Sequence, residues 1–257
     1  MPFALITGAS KGIGKAIAET LAARGYDLLL VARSADLLEQ VSADIHAVSK
    51  RNCQWLALDL AGSQAAESVY DWCNKNQYTV SILVNNAGYG LSGPFEKYSA
   101  QELADMLQLN IITLTKLTRL FLPGLLLQPA AYVLNIGSSA SYQALPFLAA
   151  YAGSKSYVLS FSRGLYQELK KTKVSVTCIC PGPTDTNFIN RANVGAKGQK
   201  AAEQFNMSPQ TVAHIAVESL FRRRPEVITG GMNKLMAFFA WLLPKTLVES
   251  VAKKLYE

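Results

Sequence analysis

The sequence predicts an α/β fold, a doubly wound parallel sheet in a single domain spanning residues 1–257. Three observations carry this expectation. Short apolar runs alternate with helix-length amphipathic stretches along the whole chain, as parallel strands covered on both faces by crossover helices do. The first run leads directly into a glycine-rich turn and a helix, PFALITGASKGIGKAIAETLAARG, which is how a dinucleotide-binding βα unit opens. The 257 residues, half of them hydrophobic and 17% charged, contain no linker, repeat or low-complexity stretch, so one core is expected to hold them all.

In chain order, strands are expected at Phe3 to Thr7, Asp27 to Ala32, Gln54 to Leu58, Ile82 to Asn85, Ala131 to Ile136, Ser175 to Ile179 and Glu226 to Thr229. Most are rich in leucine or β-branched residues and too apolar for a half-solvated sheet. Between the second and third, Leu37, Val41, Ile45 and Val48 recur at helical spacing, which predicts a helix over Asp36 to Ser49. Reactive groups in such a sheet collect at the strands' C-terminal ends.

After the first strand, Gly8, Gly12 and Gly14 enclose Ser10, Lys11 and Ile13 in a G-x-x-x-G-x-G spacing. Glycine permits tight turning and close approach of the backbone to a pyrophosphate, and the helix that follows offers free N–H groups to it. The second strand ends in Ala32 and Arg33, where an acidic residue would otherwise bind the adenosine ribose. Arg33, with Lys11 in the turn, suits a 2′-phosphate, so NADP(H) is expected over NAD(H). The plainer alternative is that both cations are simply solvated.

Tyr151 and Lys155 stand four residues apart in AAYAGSKSYV, and Ser138 lies thirteen residues upstream in NIGSSAS. On a helix, positions i and i+4 share a face. An ammonium there would lower the phenol pKa from its usual value of about 10 and make proton transfer practicable. Ser138 would supply a hydroxyl to hold a carbonyl oxygen.

With these residues assembled, the chain resembles the short-chain dehydrogenase/reductase family over most of its length, in the single-domain, NADP-preferring, Rossmann-type form. TGASKGIG (Thr7 to Gly14) matches the family's cofactor turn, and NNAG, with Asn86, Ala87 and Gly88, matches the segment beside the cofactor. Asp59 in LALDL, next to Leu60, matches the acidic residue near the adenine, and PGPTDT, with Pro181, Gly182 and Thr184, matches the turn near the nicotinamide. Asn110, Ser138, Tyr151 and Lys155 match the catalytic tetrad. The resemblance implies that Tyr151 is the general acid for carbonyl reduction, and that Lys155 lowers its pKa and binds the nicotinamide ribose. It also implies that Ser138 orients the carbonyl, and that Asn110, in a helix kink, holds a water linking Lys155 to solvent. Ser139 competes for the serine role, but the thirteen-residue spacing favours Ser138. A substrate lid is implied over about 187–207, with Phe188, Ile189 and Phe205 as its apolar contacts. The family also implies a homodimer or homotetramer built partly from the helix of Tyr151 and Lys155.

The remaining composition mostly excludes. Cys178 and Cys180 alternate along one expected strand and Cys53 opens another, the placement of buried thiols. His46 and His214 have no ligand-spaced partners, so neither a metal nor a histidine base is expected. The N-terminus carries no charged n-region with an apolar h-region, which makes the cytoplasm the expected location. Arg222 to Arg224 read as a solvated helix end, and nothing resembles a nucleic-acid motif. The net charge of +7 favours an anionic substrate such as an acyl thioester, although phosphate binding at the turn accounts for part of it.

The C-terminal extension, about 232–257, contains LMAFFAWLL, which is too short to span a bilayer and is interrupted by Pro244. Pocket wall, subunit interface and peripheral membrane contact through its lysines all fit. Packing against protein is favoured, because apolar helical stripes are usually buried. The expected activity is hydride transfer between NADP(H) and a hydrophobic ketone, aldehyde or 3-oxoacyl substrate. A steroid or polycyclic ketone dehydrogenase and a non-catalytic NADP-binding scaffold or sensor are the alternatives. Nucleotide-sugar chemistry would need more than the about 70 residues that follow the PGPTDT turn.

Overall fold

The structure is a computed structural model, described here for residues 2–184 and 206–256. Seven strands form one parallel sheet: β1 (Phe3–Thr7), β2 (Asp27–Ala32), β3 (Cys53–Ala57), β4 (Val80–Asn85), β5 (Ala131–Ile136), β6 (Val174–Cys180) and β7 (Glu226–Ile228). Their order is β3-β2-β1-β4-β5-β6-β7. All seven expected strands are present. β3 begins one residue earlier than expected, while β4 and β6 are longer, continuing the ladders with their neighbours. The chain winds outward from β1 through β3, returns to β4 on the other side, and winds outward again. The order therefore reverses between β1 and β4, and a crevice opens above their C-terminal ends.

Residues alternate between the two faces of each strand, and in the five inner strands both faces are buried. Leu28 and Leu30 of β2 enter one core, with Ile17 and Leu21 of α1 (Gly12–Ala23), Leu38 and Ile45 of α2 (Ala35–Ser49), and a later helix. Leu29 and Val31 enter the other, with Val69 of α3 (Ala65–Lys75) and Leu117, Phe121 and Leu125. The buried stripe of α2 is Leu38, Val41 and Ile45. Val48 is 88% exposed and Leu37 only half-buried, because at 100° per residue both lie at the margin of a stripe centred on those three residues.

A capping box between Ser99 and Glu102 starts α4 (Ala100–Leu107), which runs through a π-helical segment, Gln108–Thr113, into α5 (Leu114–Leu126). The wider π turn is the kink expected around Asn110. After β5 a short 3-10 turn, Ser139–Tyr142, leads to α6 (Ala149–Leu169), which carries Tyr151 and Lys155. Downstream lie α7 (Pro209–Phe221), α8 (Gly231–Leu242) and α9 (Lys245–Tyr256). Pro244 ends α8 by holding Leu243 extended, at ψ 157°, since the residue before proline is kept out of the helical region.

Candidate active site

The crevice at the β1/β4 reversal is built first by hydrogen bonds between the glycine turn and the segment after β4. Thr7 Oγ1 donates to the Val84 carbonyl at 3.1 Å and accepts from the backbone N–H groups of Asn86 and Ala87 at 2.9 and 3.1 Å. The Asn86 amide donates to the carbonyls of Thr7 and Gly8 at 3.0 and 3.1 Å. Gly8 has φ +65°, and a Cβ on Gly14 would lie 2.3 Å from the Gly8 carbonyl oxygen and 2.4 Å from the Asn86 amide nitrogen. Backbone thus packs on backbone, and α1 begins immediately after an exposed, extended Lys11. Gly14→Ala is expected to lower the melting temperature by several degrees and to weaken nucleotide binding, which thermal melts with and without NADPH would measure. An unchanged melt would mean that the turn is not this tight.

At the adenosine end, Arg33 and Asp59 stand at the ends of β2 and β3, 3.9 Å apart and both more than half exposed. Asp59 also accepts from the Ala61 N–H at 3.0 Å. Leu60 is buried, and its carbonyl accepts from Thr113 at 2.8 Å, which ties this loop to the π segment. Ile13 packs on the α1 core.

On the other side of the crevice, Tyr151 and Lys155 share one buried face of α6, with Nζ 6.0 Å from the centre of the phenol ring. Lys155 donates to the Ile136 carbonyl at 2.7 Å. Burial lowers its pKa from 10.5 to about 8, opposed by the nearby Cys178 and Cys180 thiols. Asn110, 1% exposed, is fixed by its own amide. Its oxygen accepts from the Tyr89 N–H at 3.1 Å, and its nitrogen donates to the Tyr89 carbonyl at 2.9 Å and to Ser154 Oγ at 3.0 Å. A Cβ on Gly88 would lie 2.9 Å from the Asn110 oxygen and 3.5 Å from Lys155 Nζ, so Asn110, Gly88 and Lys155 converge on one spot. Ser138 Oγ accepts from the Ala140 N–H at 3.1 Å and caps the 3-10 turn. The Ser139 N–H instead donates to the Pro181 carbonyl at 2.7 Å, tying the serine loop to the turn that holds Gly182 and Thr184.

Several positioning residues escaped the sequence reading. Ser154 links Asn110 to α6 by donating to the Tyr151 carbonyl at 2.7 Å. Ser141 donates to the Lys155 carbonyl at 2.8 Å and accepts from the Ser138 N–H at 3.3 Å. Its place three residues after Ser138 is a capping-box spacing and was the available signal. Asn85 donates to Asn135 at 2.9 Å, and Asn135 to Ser162 at 2.9 Å, a buried polar chain beneath the site. Asn233, on α8, occupies the place a Gly182 side chain would take, 2.1 Å from that Cβ position. Of the expected lid, residues 187–205, with Phe188, Ile189 and Phe205, lie outside the described residues. Met207 bridges to Thr184. Cys178 and Cys180 are buried free thiols with sulfurs 3.8 Å apart, and Cys53 is half-buried.

Sequence and structure comparisons place the chain among known folds and families. The pattern that defines the short chain dehydrogenases matches residues 2–197. Over 183 residues the chain is 37% identical to the very-long-chain 3-oxoacyl-CoA reductase of Phaeosphaeria nodorum, covering 69% of this chain and 53% of that protein. It is 32% identical over 198 residues to hydroxysteroid dehydrogenase-like protein 1 of Gallus gallus, covering 76% and 59%. The chain thus spans little more than half the length of these relatives. A short-chain dehydrogenase from Sphingobium yanoikuyae, solved in complex with NADPH, superposes with a TM-score of 0.83 at 28% identity over 94% of each chain. A match over three quarters of the sequence, on this sheet order, makes the chain a member of the short-chain dehydrogenase/reductase family of oxidoreductases, whose members use a nicotinamide cofactor.

Proposed function

We propose that the chain is an NADP(H)-dependent reductase of a hydrophobic carbonyl compound, with a 3-oxoacyl thioester as its leading substrate class. The observation that carries this reading is the buried Tyr151 and Lys155 face, joined to Asn110 through Ser154, beside a glycine turn with no room for a side chain at Gly14. That turn fits a dinucleotide: Gly8, Ser10, Lys11, Gly12, Ile13 and Gly14 would cradle the pyrophosphate, and Asp59, Leu60, Asn86, Ala87 and Gly88 would flank the adenosine and ribose. Pro181, Gly182 and Thr184 would border the nicotinamide, which when bound supplies the hydride.

Tyr151 then delivers the proton to the carbonyl oxygen, and Ser138 holds that oxygen in place. Lys155, charged at neutral pH, stabilises the resulting phenolate and binds the ribose hydroxyls. Asn110 positions a water through which Lys155 exchanges protons with solvent. The 3-oxoacyl preference is supported by the fungal relative's name and by the positive net charge of +7. The chicken relative's name favours a steroid or polycyclic ketone as the second reading. A reducing compartment such as the cytoplasm suits the free thiols, and a homodimer or homotetramer belongs to the same reading.

The test is NADPH oxidation across 3-oxoacyl thioesters, long-chain aldehydes and steroid ketones, run with both nicotinamides. Among the described residues, exposed Arg33 is held only by the 3.9 Å pair with Asp59, so it can turn to a 2′-phosphate. Arg33→Ala is expected to raise the KM for NADPH roughly tenfold or more, as loss of a charge-assisted bond does, and to leave that for NADH nearly unchanged. A wild-type KM for NADH no higher than that for NADPH would reverse the cofactor assignment, and turnover of steroids alone would select the second substrate reading.

A further inference from the structure

The described residues hold one apolar surface that the reaction does not use. Of the seventeen large apolar side chains that stand exposed, ten fall between Met232 and Val251. On α8 the exposed set includes Leu235, Met236, Phe238, Phe239, Trp241 and Leu242, with Trp241 73% exposed. At 100° per residue they cover roughly 220° of the helix circumference. Only Asn233 and Ala240 of α8 are buried. Sequence patterning favoured packing against protein, and among the described residues the inner faces alone do so. Asn233 fills the space beside Gly182, and Ala252 of α9 joins the cluster of Met106, Leu148 and Tyr151.

Charge identifies the occupant. Residues 229–248 contain no Asp or Glu, and the next acidic residue, Glu249, faces the groove beside α6. Lys234, Phe238 and Trp241 stand at i, i+4 and i+7 on α8, and Leu247, Val251 and Lys254 repeat that spacing on α9. Each outer stripe thus sets an ammonium beside two exposed apolar side chains. The Phe238 and Trp241 rings lie 6.1 Å apart. A second copy docked on this face about a twofold axis would press these lysines together without an acidic partner. Anionic headgroups would neutralise them while the rings enter the acyl boundary and the lysine stems reach back to the phosphates.

We propose that the outer face of α8 and α9 is a docking surface for an anionic lipid bilayer. The chain lies on the membrane through this surface. Among the described residues one helical stretch, 100–126, is long and apolar enough to cross a membrane, but Met106, Asn110, Leu117 and Phe121 commit it to the core and the site. The docking face adjoins the catalytic centre through the inner face of α9. The proposal does not depend on which carbonyl is reduced.

The experiment is flotation of the full chain with phosphatidylcholine vesicles, with and without phosphatidylglycerol, alongside quenching of tryptophan emission by bromine-labelled lipid. Binding to the anionic vesicles is expected, with quenching that disappears in Trp241→Phe, since Trp55 and Trp72 lie elsewhere. Phe238→Glu with Trp241→Glu should abolish binding and, both rings being exposed, preserve the melting temperature. Lys234→Gln with Lys254→Gln should weaken binding roughly tenfold or more at low salt. Absence of vesicle binding overturns the proposal. In that case, a mass by light scattering that falls on Trp241→Glu would assign the face to a second copy.

Discussion

Replacing Tyr151 with phenylalanine is expected to lower kcat/KM for carbonyl reduction by about 10² to 10⁴, the range that a positioned proton donor contributes, while the dissociation constant for NADPH stays within about twofold. The two effects separate because the ring and the hydroxyl do different things. The ring sits in an apolar cluster with Met106, Ala140, Leu145, Leu148 and Ala152, and phenylalanine fills the same volume. In the proposed mechanism the hydroxyl is the proton donor; the Ser138 alcohol is a far weaker acid than a phenol, and the Lys155 ammonium lies 6.0 Å from the ring centre, directed at the Ile136 carbonyl, so neither replaces it. Steady-state rates paired with a fluorescence titration of NADPH test this. A variant that keeps more than a tenth of the wild-type kcat/KM would show that some other group delivers the proton.

The sheet was legible because its five inner strands are short apolar runs with paired neighbours on both sides, and strands so buried have no polar alternation to confuse their register. Errors fell where burial is partial. In α2 the stripe was read around Leu37 and Val48 instead of Leu38, because leucines at both 37 and 38 make the helix phase ambiguous by one residue. The site was legible as spacing: Tyr151 and Lys155 at i and i+4, and the glycines around Lys11. What spacing does not carry is the bonding that holds those groups still. Ser154, Ser141 and Asn233 act through contacts between segments far apart in sequence or through a backbone carbonyl, and a serine inside a helix looks the same whether it faces solvent or Asn110. The exposure of α8 was illegible for a related reason: an apolar run states that water is unwelcome, not what excludes it.

Lys155→Met is expected to abolish most turnover, by about 10² or more, and at the same time to stabilise the cofactor-free protein. Lys155 is held in a site where burial brings its pKa from 10.5 to about 8, a difference that penalises the charged form by roughly 3 kcal/mol. Methionine removes the charge with similar bulk but forfeits the charge-assisted bond to the Ile136 carbonyl, worth about 2 kcal/mol. The balance at pH 7 is on the order of 1 kcal/mol in favour of the variant, or roughly 3 °C in melting temperature for a chain of this size. The sign follows from proton uptake. Below about pH 8 the lysine is charged in both the folded and unfolded chain, so the folded state bears the full burial cost. Between about 8 and 10.5 the unfolded chain binds the extra proton, and raising the pH relieves the wild type alone. The melting-temperature gap should therefore be largest near neutrality and close as the pH climbs through that window. A variant less stable than wild type at pH 7, by an amount independent of pH, would show that the contacts of Lys155 outweigh its burial. On the proposed mechanism the burial cost of that charge is borne because the ammonium stabilises the Tyr151 phenolate, and a stabilised but inactive Lys155→Met is what that trade predicts.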